Sequence, residues 1–138
     1  MFLDTNILVY SFDRGAPEKA HIAQGLIEQG LETRNGAIST QVIQEFLNLA
    51  TRRFRKVIPS ERARVFARSV LSPLCKVRVG FELLDDALGL HIRWQYSFYD
   101  SLIIAAALRA GCRILYSEDL QHDQNIDGLR IVNPFLPA

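Results

Sequence analysis

The sequence predicts an α/β fold in which a short, mainly parallel central sheet lies between two layers of helices. Short apolar stretches alternate along the chain with longer segments whose apolar residues recur at helical spacing, and this alternation is typical of a parallel sheet covered by helices on both faces. With 49% hydrophobic and 22% charged residues, the composition is that of a globular protein rather than a disordered one. We expect residues 1–138 to form a single domain.

Local signals mark the ends of the predicted elements. Pro17 favours the first turn of a helix, and Gly111 can end the last one. Ser39 or Thr40 can cap the second helix. The helix that begins at Asp100 is apolar almost all round, which predicts that it is buried. The predicted strands cover residues 2–4, 36–39, 76–79, 113–116 and 130–132, and the predicted helices cover about 17–29, 40–54, 60–71, 81–92 and 100–110.

The sequence gives no sign of export or of membrane insertion. No apolar stretch approaches the length of a membrane span, and Asp4 and Asn6 interrupt the apolar start of the chain, which is unlike a signal peptide. We therefore expect a cytoplasmic protein without a membrane partner, in which Cys75 and Cys112 are reduced thiols that pack as small hydrophobic residues.

Two acidic residues follow directly on predicted strands. Asp4 ends the first strand, and Asp119 comes just after the strand at 113–116. Because open parallel sheets bind ligands beyond the carboxyl ends of their strands, both side chains are candidates for a common site. Asp100 lies in the first turn of the buried helix, where the helix dipole favours an anion. Taken singly, Asp4 and Asp100 are each more typical of a helix cap than of a catalytic group.

Glu45 lies on the polar side of the predicted helix 40–54. Gln41, Glu45, Asn48 and Arg52 are spaced so that they form one stripe opposite the apolar face. A solvated surface would give the same pattern, so the stripe alone does not predict a site. It runs, however, from a carboxylate toward a basic segment, as a binding site for a phosphate chain would require. That segment, residues 52–68, contains Glu61 and the basic residues Arg52, Arg53, Arg55, Lys56, Arg62, Arg64 and Arg68.

Convergence of the four acids would require a compensating cation. Two like charges 4 Å apart repel by about 4 kcal/mol at an effective dielectric constant of about 20. Ligands that are all oxygen, with no cysteine or paired histidine among them, favour Mg²⁺ or Mn²⁺ over Zn²⁺. Of the three histidines, only His122 lies close enough after Asp119 in the sequence to reach such a site.

Four segments together resemble the PIN domain, and more closely the VapC-type ribonuclease toxins of bacterial toxin–antitoxin pairs. They are an N-terminal strand that ends in D-T-N (4–6), the helical Glu45, YDSLIIAAAL (99–108) and LYSEDL (115–120). Each segment alone is weak, but the four occur in the family's order over essentially the whole chain. The resemblance implies a PIN-like three-layer α/β/α sandwich.

The resemblance also implies roles for individual residues. It places Asp4, Glu45, Asp100 and Asp119 as the catalytic and metal-binding residues, with Asp4 and Asp100 the strongest candidates for direct ligands. The residues that would orient ligands or waters are Thr5, Asn6 and Ser117, and the weaker candidates for gripping the RNA backbone are Arg52, Arg53 and Arg55. Glu118 competes with Asp119 for the fourth acidic position, and Asp123 leaves open an additional acidic contact.

By this resemblance the protein is a Mg²⁺- or Mn²⁺-dependent endoribonuclease and the toxin of a toxin–antitoxin pair. The same resemblance implies an RNA substrate, a cognate antitoxin that blocks the site, and a homodimer. Trp94, Tyr96, Phe98 and Tyr99 precede Asp100, and we expect them to pack in the loop rather than to stack on an unpaired base.

Two alternatives remain open at the level of sequence. One is a non-catalytic module of the same fold that binds RNA or a protein partner. The other is a phosphatase of the haloacid-dehalogenase type, which also begins with a strand that ends in Asp. That phosphatase would need a second acid where this chain has Asn6 and a later lysine in a suitable context, which makes it the weaker alternative.

Overall fold

The computed structural model describes residues 1–53 and 57–137. Its helices lie on both sides of a central sheet, which gives the predicted three-layer α/β/α sandwich. The strands are β1 (Phe2–Leu3), β2 (Ile38–Ser39), β3 (Cys75–Val77), β4 (Ile114–Tyr116), β5 (Asn125–Ile126) and β6 (Leu129–Val132). The helices are α1 (Thr5–Tyr10), α2 (Pro17–Thr33), α3 (Thr40–Arg52), α4 (Ser60–Phe66), α5 (Ser72–Leu74), α6 (Phe81–Trp94) and α7 (Phe98–Arg109), with a π-helical segment at Ala67–Leu71 between α4 and α5.

The central sheet has the strand order β1-β4-β6-β5. β1 pairs in parallel with β4, β4 pairs in parallel with β6, and the edge strand β5 runs antiparallel to β6. A parallel pair of β2 and β3 extends this arrangement, because the Leu3 amide donates to the Ala37 carbonyl at 3.0 Å. The carboxyl ends of β1 and β4 therefore lie side by side, which brings Asp4 next to Ser117.

α7 lies in the centre of the core. Every residue from Ser101 to Ala107 is buried, as its apolar sequence predicted. α7 packs against α6, β2 and β4, while α1 packs against α2 and α3. The structure thus confirms a buried helix whose first turn, with Asp100, reaches the edge of the sheet.

Several element ends differ from the predictions. α2 is one turn longer and ends at Thr33, where Arg34 takes a left-handed conformation with φ of 60°. The predicted strand 76–79 lies instead at Cys75–Val77. The helical spacing of the apolar residues in 17–29 predicts that Ile22 faces the core together with Ala23 and Ile27, but Ile22 is 37% exposed whereas the other two are buried.

Three short elements are not indicated by any strong sequence signal. α1 has only six residues, β5 has two, and the π-helical segment interrupts what reads as one continuous helix. α1 also continues directly from an apolar strand, so its apolar residues read as an extension of β1. The predicted end of α3 near residue 54 lies outside the described residues. Within residues 1–53 and 57–137, no helix combines the length and the apolar character needed to cross a bilayer.

Candidate active site

Asp4 occupies the junction between β1 and α1. Its backbone amide donates to the Tyr116 carbonyl at 3.0 Å, which fixes it to the end of β4. Its side chain caps α1, since Oδ1 accepts from the Thr5 amide at 2.7 Å. Oδ2 accepts from the Ser117 hydroxyl at 2.7 Å and is 3.5 Å from Asn6 Nδ2. Asp4 is therefore a helix cap, as its position alone suggested, and it also belongs to a larger polar network.

Burial and neighbouring charge both make Asp4 a poor place for a negative charge. The side chain is only 7% exposed. Burial raises the pKa of Asp4 to about 6, and the charges of Glu45 and Asp119 act in the same direction. The hydrogen bonds from Ser117 and Thr5 oppose this shift without cancelling it. A nearby cation would reverse the effect.

Glu45 reaches the network from α3. Its Oε2 accepts from the Thr5 hydroxyl at 2.9 Å, and its Oε1 accepts from Gln41 Nε2 at 2.7 Å. Thr5 therefore links Asp4 to Glu45, because its amide binds one carboxylate and its hydroxyl binds the other. The polar stripe of α3 therefore meets this network at Gln41 and Glu45, whereas Asn48 and Arg52, farther along the stripe, are exposed to solvent.

Asp119 reaches the network from the loop after β4. Asn6 Nδ2 donates to Asp119 Oδ2 at 3.1 Å, and the Asp119 amide donates to the Ser117 hydroxyl oxygen at 3.2 Å. The Glu118 amide donates to Asn6 Oδ1 at 3.3 Å, so Asn6 holds this loop through both ends of its amide. Asn6 and Ser117 thus connect the Asp119 loop to the end of β1.

Asp100 lies apart from these hydrogen bonds. It is half-buried in the first turn of α7, where its amide donates to the Ser97 hydroxyl oxygen at 3.2 Å. Gln41 reaches from Glu45 to the helix that carries Asp100, because its Nε2 also lies 3.3 Å from the Tyr99 carbonyl. Among residues 1–53 and 57–137, no three acidic, histidine or cysteine side chains are close enough together to hold a metal ion. The structure thus joins Asp4, Glu45 and Asp119, whereas in the part of the chain that is described Gln41 reaches the helix of Asp100 at the carbonyl of the preceding residue, Tyr99.

Glu118 makes contacts away from this network. Its carboxylate accepts from Lys19 Nζ at 2.6 Å and from the Tyr10 hydroxyl at 2.6 Å. Burial alone would raise the pKa of Glu118, but these two hydrogen bonds hold it below its usual value. Lys19 also lies over the rings of Tyr10 and Phe135. No local sequence pattern indicates this cluster, because Lys19 and Glu118 are 99 residues apart.

Asp123 and His122 also turn to other partners. Asp123 pairs with Arg130 at 2.6 Å and with His122 at 3.4 Å. The Arg130 guanidinium holds the pKa of Asp123 below its usual value. His122 Nδ1 accepts from the Asn133 amide at 3.0 Å. The expectation that His122 could reach the site is therefore wrong in this structure.

The arginine candidates lie at the end of α3. Arg52 is in the last turn of α3 and Arg53 is its C-cap, and both are exposed. Seven residues separate Glu45 from Arg52, which corresponds to about 10 Å along the helix axis. Arg55 lies outside the described residues.

The aromatic residues before Asp100 do not behave alike. Trp94, Tyr96 and Phe98 are half-buried and pack against the core, as expected. Tyr99 is 67% exposed, so the prediction that it packs in the loop is wrong. It lies next to the cleft between α3 and α7, where it contacts Phe98 edge-on with a ring-centroid separation of 5.6 Å.

Comparisons with known proteins agree with this architecture. None of the curated protein sequences matches the chain. A solved toxin–antitoxin complex from Klebsiella pneumoniae is similar, with a TM-score of 0.66 and 21% identity over 97% of each chain. So is VapC20 of Mycobacterium tuberculosis, described as a sarcin–ricin loop cleaving toxin, with a TM-score of 0.59 and 23% identity over 86% of this chain and 88% of that one. At these identities the two likenesses establish a shared fold. The family model of the PIN domain matches residues 1–125, and the chain therefore belongs to the PIN-domain family, as its motifs predicted.

Proposed function

We propose that this protein is a metal-dependent endoribonuclease and the toxin of a toxin–antitoxin pair. The observation that carries the proposal is the buried carboxylate of Asp4, which is linked through Thr5 to Glu45 and through Asn6 to Asp119. Membership of the PIN-domain family and likeness to a sarcin–ricin loop cleaving toxin support the nuclease activity, and likeness to a toxin–antitoxin complex supports the biological role. Such an enzyme would act in the cytoplasm, where its RNA substrate is found.

The donor atoms around Asp4 suit Mg²⁺ or Mn²⁺. The carboxylates of Glu45 and Asp119 and the hydroxyl oxygen of Ser117 lie near Asp4, and a divalent cation would offset the burial and the repulsion that raise the pKa of Asp4. We propose Asp4 and Asp100 as direct ligands, with Glu45 and Asp119 binding through water or completing a second position. Binding requires these side chains to move toward the ion, since no three of them already converge among the described residues. When bound, the ion would supply charge stabilisation at the phosphate and a more acidic water.

The remaining residues of the network position these ligands. Ser117 and the Thr5 amide fix the two oxygens of Asp4, and the Thr5 hydroxyl orients Glu45. Asn6 holds Asp119 near Asp4. These contacts would keep Glu45 and Asp119 near Asp4, which lowers the cost of the movement that brings them to an ion.

Arg52 and Arg53 are candidates for contacts with the RNA backbone. Both are exposed at the end of the helix that carries Glu45. Phosphate contacts of this kind set affinity and its dependence on salt, and they carry no sequence information. Arg55, which follows in the sequence, belongs to the same proposal.

Asp100→Asn tests the nuclease activity. We expect RNA cleavage in Mn²⁺ to fall by at least about 100-fold, because a proposed direct ligand is lost, and EDTA should abolish cleavage by the wild type. Glu32→Gln removes an exposed carboxylate from the end of α2 and serves as the control with wild-type activity. Circular dichroism should show that both variants are folded.

Equal cleavage by wild type and Asp100→Asn would reveal a contaminating nuclease and overturn the activity. RNA binding without any cleavage would instead favour the non-catalytic binding module. The haloacid-dehalogenase alternative has no support, since the chain belongs to another family.

The antitoxin is a separate part of the proposal. We expect a partner protein, encoded beside this chain, to cover the acidic site and to place a cationic side chain among its carboxylates. Co-expression with the neighbouring reading frame should relieve growth inhibition and give a complex that co-purifies. If no neighbouring product binds, the toxin role is wrong even where the nuclease activity holds.

We also propose that the protein forms a homodimer through α6. Its outward face carries Phe81, Leu88 and Ile92, which are 81%, 48% and 73% exposed. The first half of α6 is acidic and its last turn carries His91 and Arg93. An antiparallel pairing of two copies about a two-fold axis would bury the apolar residues and place the acidic half of each helix opposite the basic end of the other.

A further inference from the structure

An open cavity of about 550 Å³ lies between α3 and α7, beside the candidate active site. Its walls are formed by Gln41, Gln44, Glu45 and Asn48 on α3 and by Tyr99 on α7. This volume is in the range of pockets that hold small ligands. Because Glu45 belongs both to the acidic network and to the cavity wall, a group bound here would lie next to the site of the proposed reaction.

Tyr99 presents a large aromatic surface to this cavity. It is 67% exposed, whereas its neighbour Phe98 is half-buried and packs against the core. Phe98 and Tyr99 form an edge-to-face pair with an interplanar angle of 70°, so the two rings are not stacked in parallel. A protein gains nothing in core packing from a tyrosine that is left so exposed. An exposed aromatic face is what stacks on an unpaired nucleobase.

Gln41 fixes the two helices that form the cavity. It is only 5% exposed, and its Nε2 donates to Glu45 Oε1 at 2.7 Å and lies 3.3 Å from the Tyr99 carbonyl. Within residues 1–53 and 57–137, Gln41 Oε1 is buried and has no hydrogen-bond partner. An unsatisfied buried oxygen is costly. Because this oxygen is buried, the Gln41 side chain would have to turn before a donor on a bound ligand could satisfy it.

The remaining side chains of the cavity have the chemistry of base recognition. Gln44 and Asn48 carry exposed amides, each of which combines a donor with an acceptor, as the edge of a nucleobase does. Arg52 lies one turn beyond Asn48 on the same helix and is exposed. A base held between Tyr99 and the amides would therefore have a cation near its adjoining phosphate.

We propose that this cavity is a nucleobase subsite that holds the base next to the cleaved phosphodiester of single-stranded RNA. Tyr99 stacks on the base, Gln44 and Asn48 hydrogen-bond to its edge, and Arg52 contacts the adjoining phosphate. This inference rests on the proposed ribonuclease function. The subsite would give the enzyme a preference for particular bases, which the acidic network alone does not provide.

Tyr99→Ala removes the ring and the hydroxyl, whereas Tyr99→Phe removes the hydroxyl alone. Together the two variants separate stacking by the ring from contacts of the hydroxyl. Short fluorescein-labelled RNA homopolymers of U, A, C and G are bound to wild type and both variants in EDTA, and fluorescence anisotropy gives Kd. We expect Tyr99→Ala to weaken binding by about tenfold, and Tyr99→Phe to remain within about twofold of wild type, because it keeps the ring. In Mn²⁺, Tyr99→Ala should raise KM by a similar factor with little change in kcat.

Asn48→Ala and Gln44→Ala test the same cavity through exposed side chains. If Tyr99→Ala does not fold, these two variants alone test whether the cavity binds a base. We expect both to reduce the spread of Kd among the four homopolymers by at least about threefold, since the edge contacts are lost.

The outcomes distinguish the subsite from the nuclease activity. Ring-dependent RNA binding without cleavage would refute the nuclease and support the subsite. Cleavage with unchanged Kd and KM in Tyr99→Ala would overturn the subsite and leave the nuclease intact. Equal weakening by Tyr99→Phe and Tyr99→Ala would overturn stacking, as would a wild type that binds none of the RNAs.

Discussion

The Asp4 carboxylate combines two roles that conflict with each other. As the cap of α1 it must accept hydrogen bonds, and it does so from Thr5 and Ser117. As a buried acid beside Glu45 and Asp119 it is costly to ionise, which raises its pKa to about 6. A carboxyl group with such a raised pKa is a common feature of functional sites.

Asp4→Asn should stabilise the protein at neutral pH in the presence of EDTA. Well below pH 3.8 the acid is protonated in both the folded and the unfolded states and costs nothing. Between the unfolded pKa of 3.8 and the folded pKa of about 6, only the unfolded state releases its proton, so stability falls as pH rises. Above pH 6 the full penalty, about 3 kcal/mol, is present. Asparagine removes the charge, keeps an oxygen that accepts from the Thr5 amide, and presents an NH2 group that can donate to the Ser117 hydroxyl oxygen.

Urea unfolding of wild type and Asp4→Asn in EDTA at pH 3 and pH 7.5 measures this effect. The gain should appear at pH 7.5 and nearly vanish at pH 3, and in a separate assay in Mn²⁺ at pH 7.5 the variant should lose nuclease activity. A variant that is less stable than wild type at pH 7.5 would contradict the assigned cause of the shift.

How far the site could be predicted differs from residue to residue. Asp4 and Asp119 were predictable because strand ends converge in a parallel sheet. Glu45 was only suggested by its stripe, since a solvated helix face has the same spacing. Asp119 and Glu118 could not be separated in sequence, because the choice depends on Lys19, which reaches Glu118 from a distant helix. Local patterns cannot report such long-range contacts.

Among the elements, the turn from α2 into β2 requires unusually close backbone contact. Gly36 donates its amide to the Gly30 carbonyl at 3.1 Å. A Cβ at Gly36 would lie 2.7 Å from the Gly30 Cα and 2.8 Å from a methyl carbon of Leu74. Both distances are shorter than van der Waals contact, and one of them is to backbone, which cannot easily move aside.

Gly36→Ala should therefore destabilise the protein by about 1–3 kcal/mol. Gly25→Ala is the matched control, because its Cβ would meet nothing within 4 Å on the exposed side of α2. Alanine is the better helix former, so this control should gain about 0.5–1 kcal/mol. Urea midpoints compare the two. Equal midpoints for both variants would mean that the Gly30–Gly36 contact is not tight.

The longer helices and most of the strands were predicted well, whereas α1, β5 and the π-helical segment were not. α3, α6 and α7 have strong periodicity or a continuous apolar sequence, together with capping signals. α1 is six residues long and is stabilised chiefly by burial of Ile7 and Leu8, which is a tertiary effect. Short elements of this kind depend on neighbours that no local window contains.

At the scale of the whole molecule, the buried helix α7 determines which face of its neighbour α6 is left exposed. Because α7 fills the core, α6 packs against it with one face and leaves the opposite face to solvent. That outward face exposes Phe81, Leu88 and Ile92, in contrast to the polar outer face of α3. A helix that is apolar on both sides is expected to have a second partner.

Ile92→Lys tests the proposed homodimer. Wild type should run in analytical ultracentrifugation at about twice the chain mass of 15.6 kDa, and Ile92→Lys should run as a monomer, because burial of an unpaired charge at the interface is costly. Ile22→Lys places the same charge on α2, where Ile22 is 37% exposed, and should remain dimeric. If wild type is a monomer at high concentration, or if Ile92→Lys stays dimeric, α6 is not the interface. The two lysine variants add the same charge to the surface. The dimer interface is therefore assigned to α6 only if Ile92→Lys runs as a monomer while Ile22→Lys runs as a dimer.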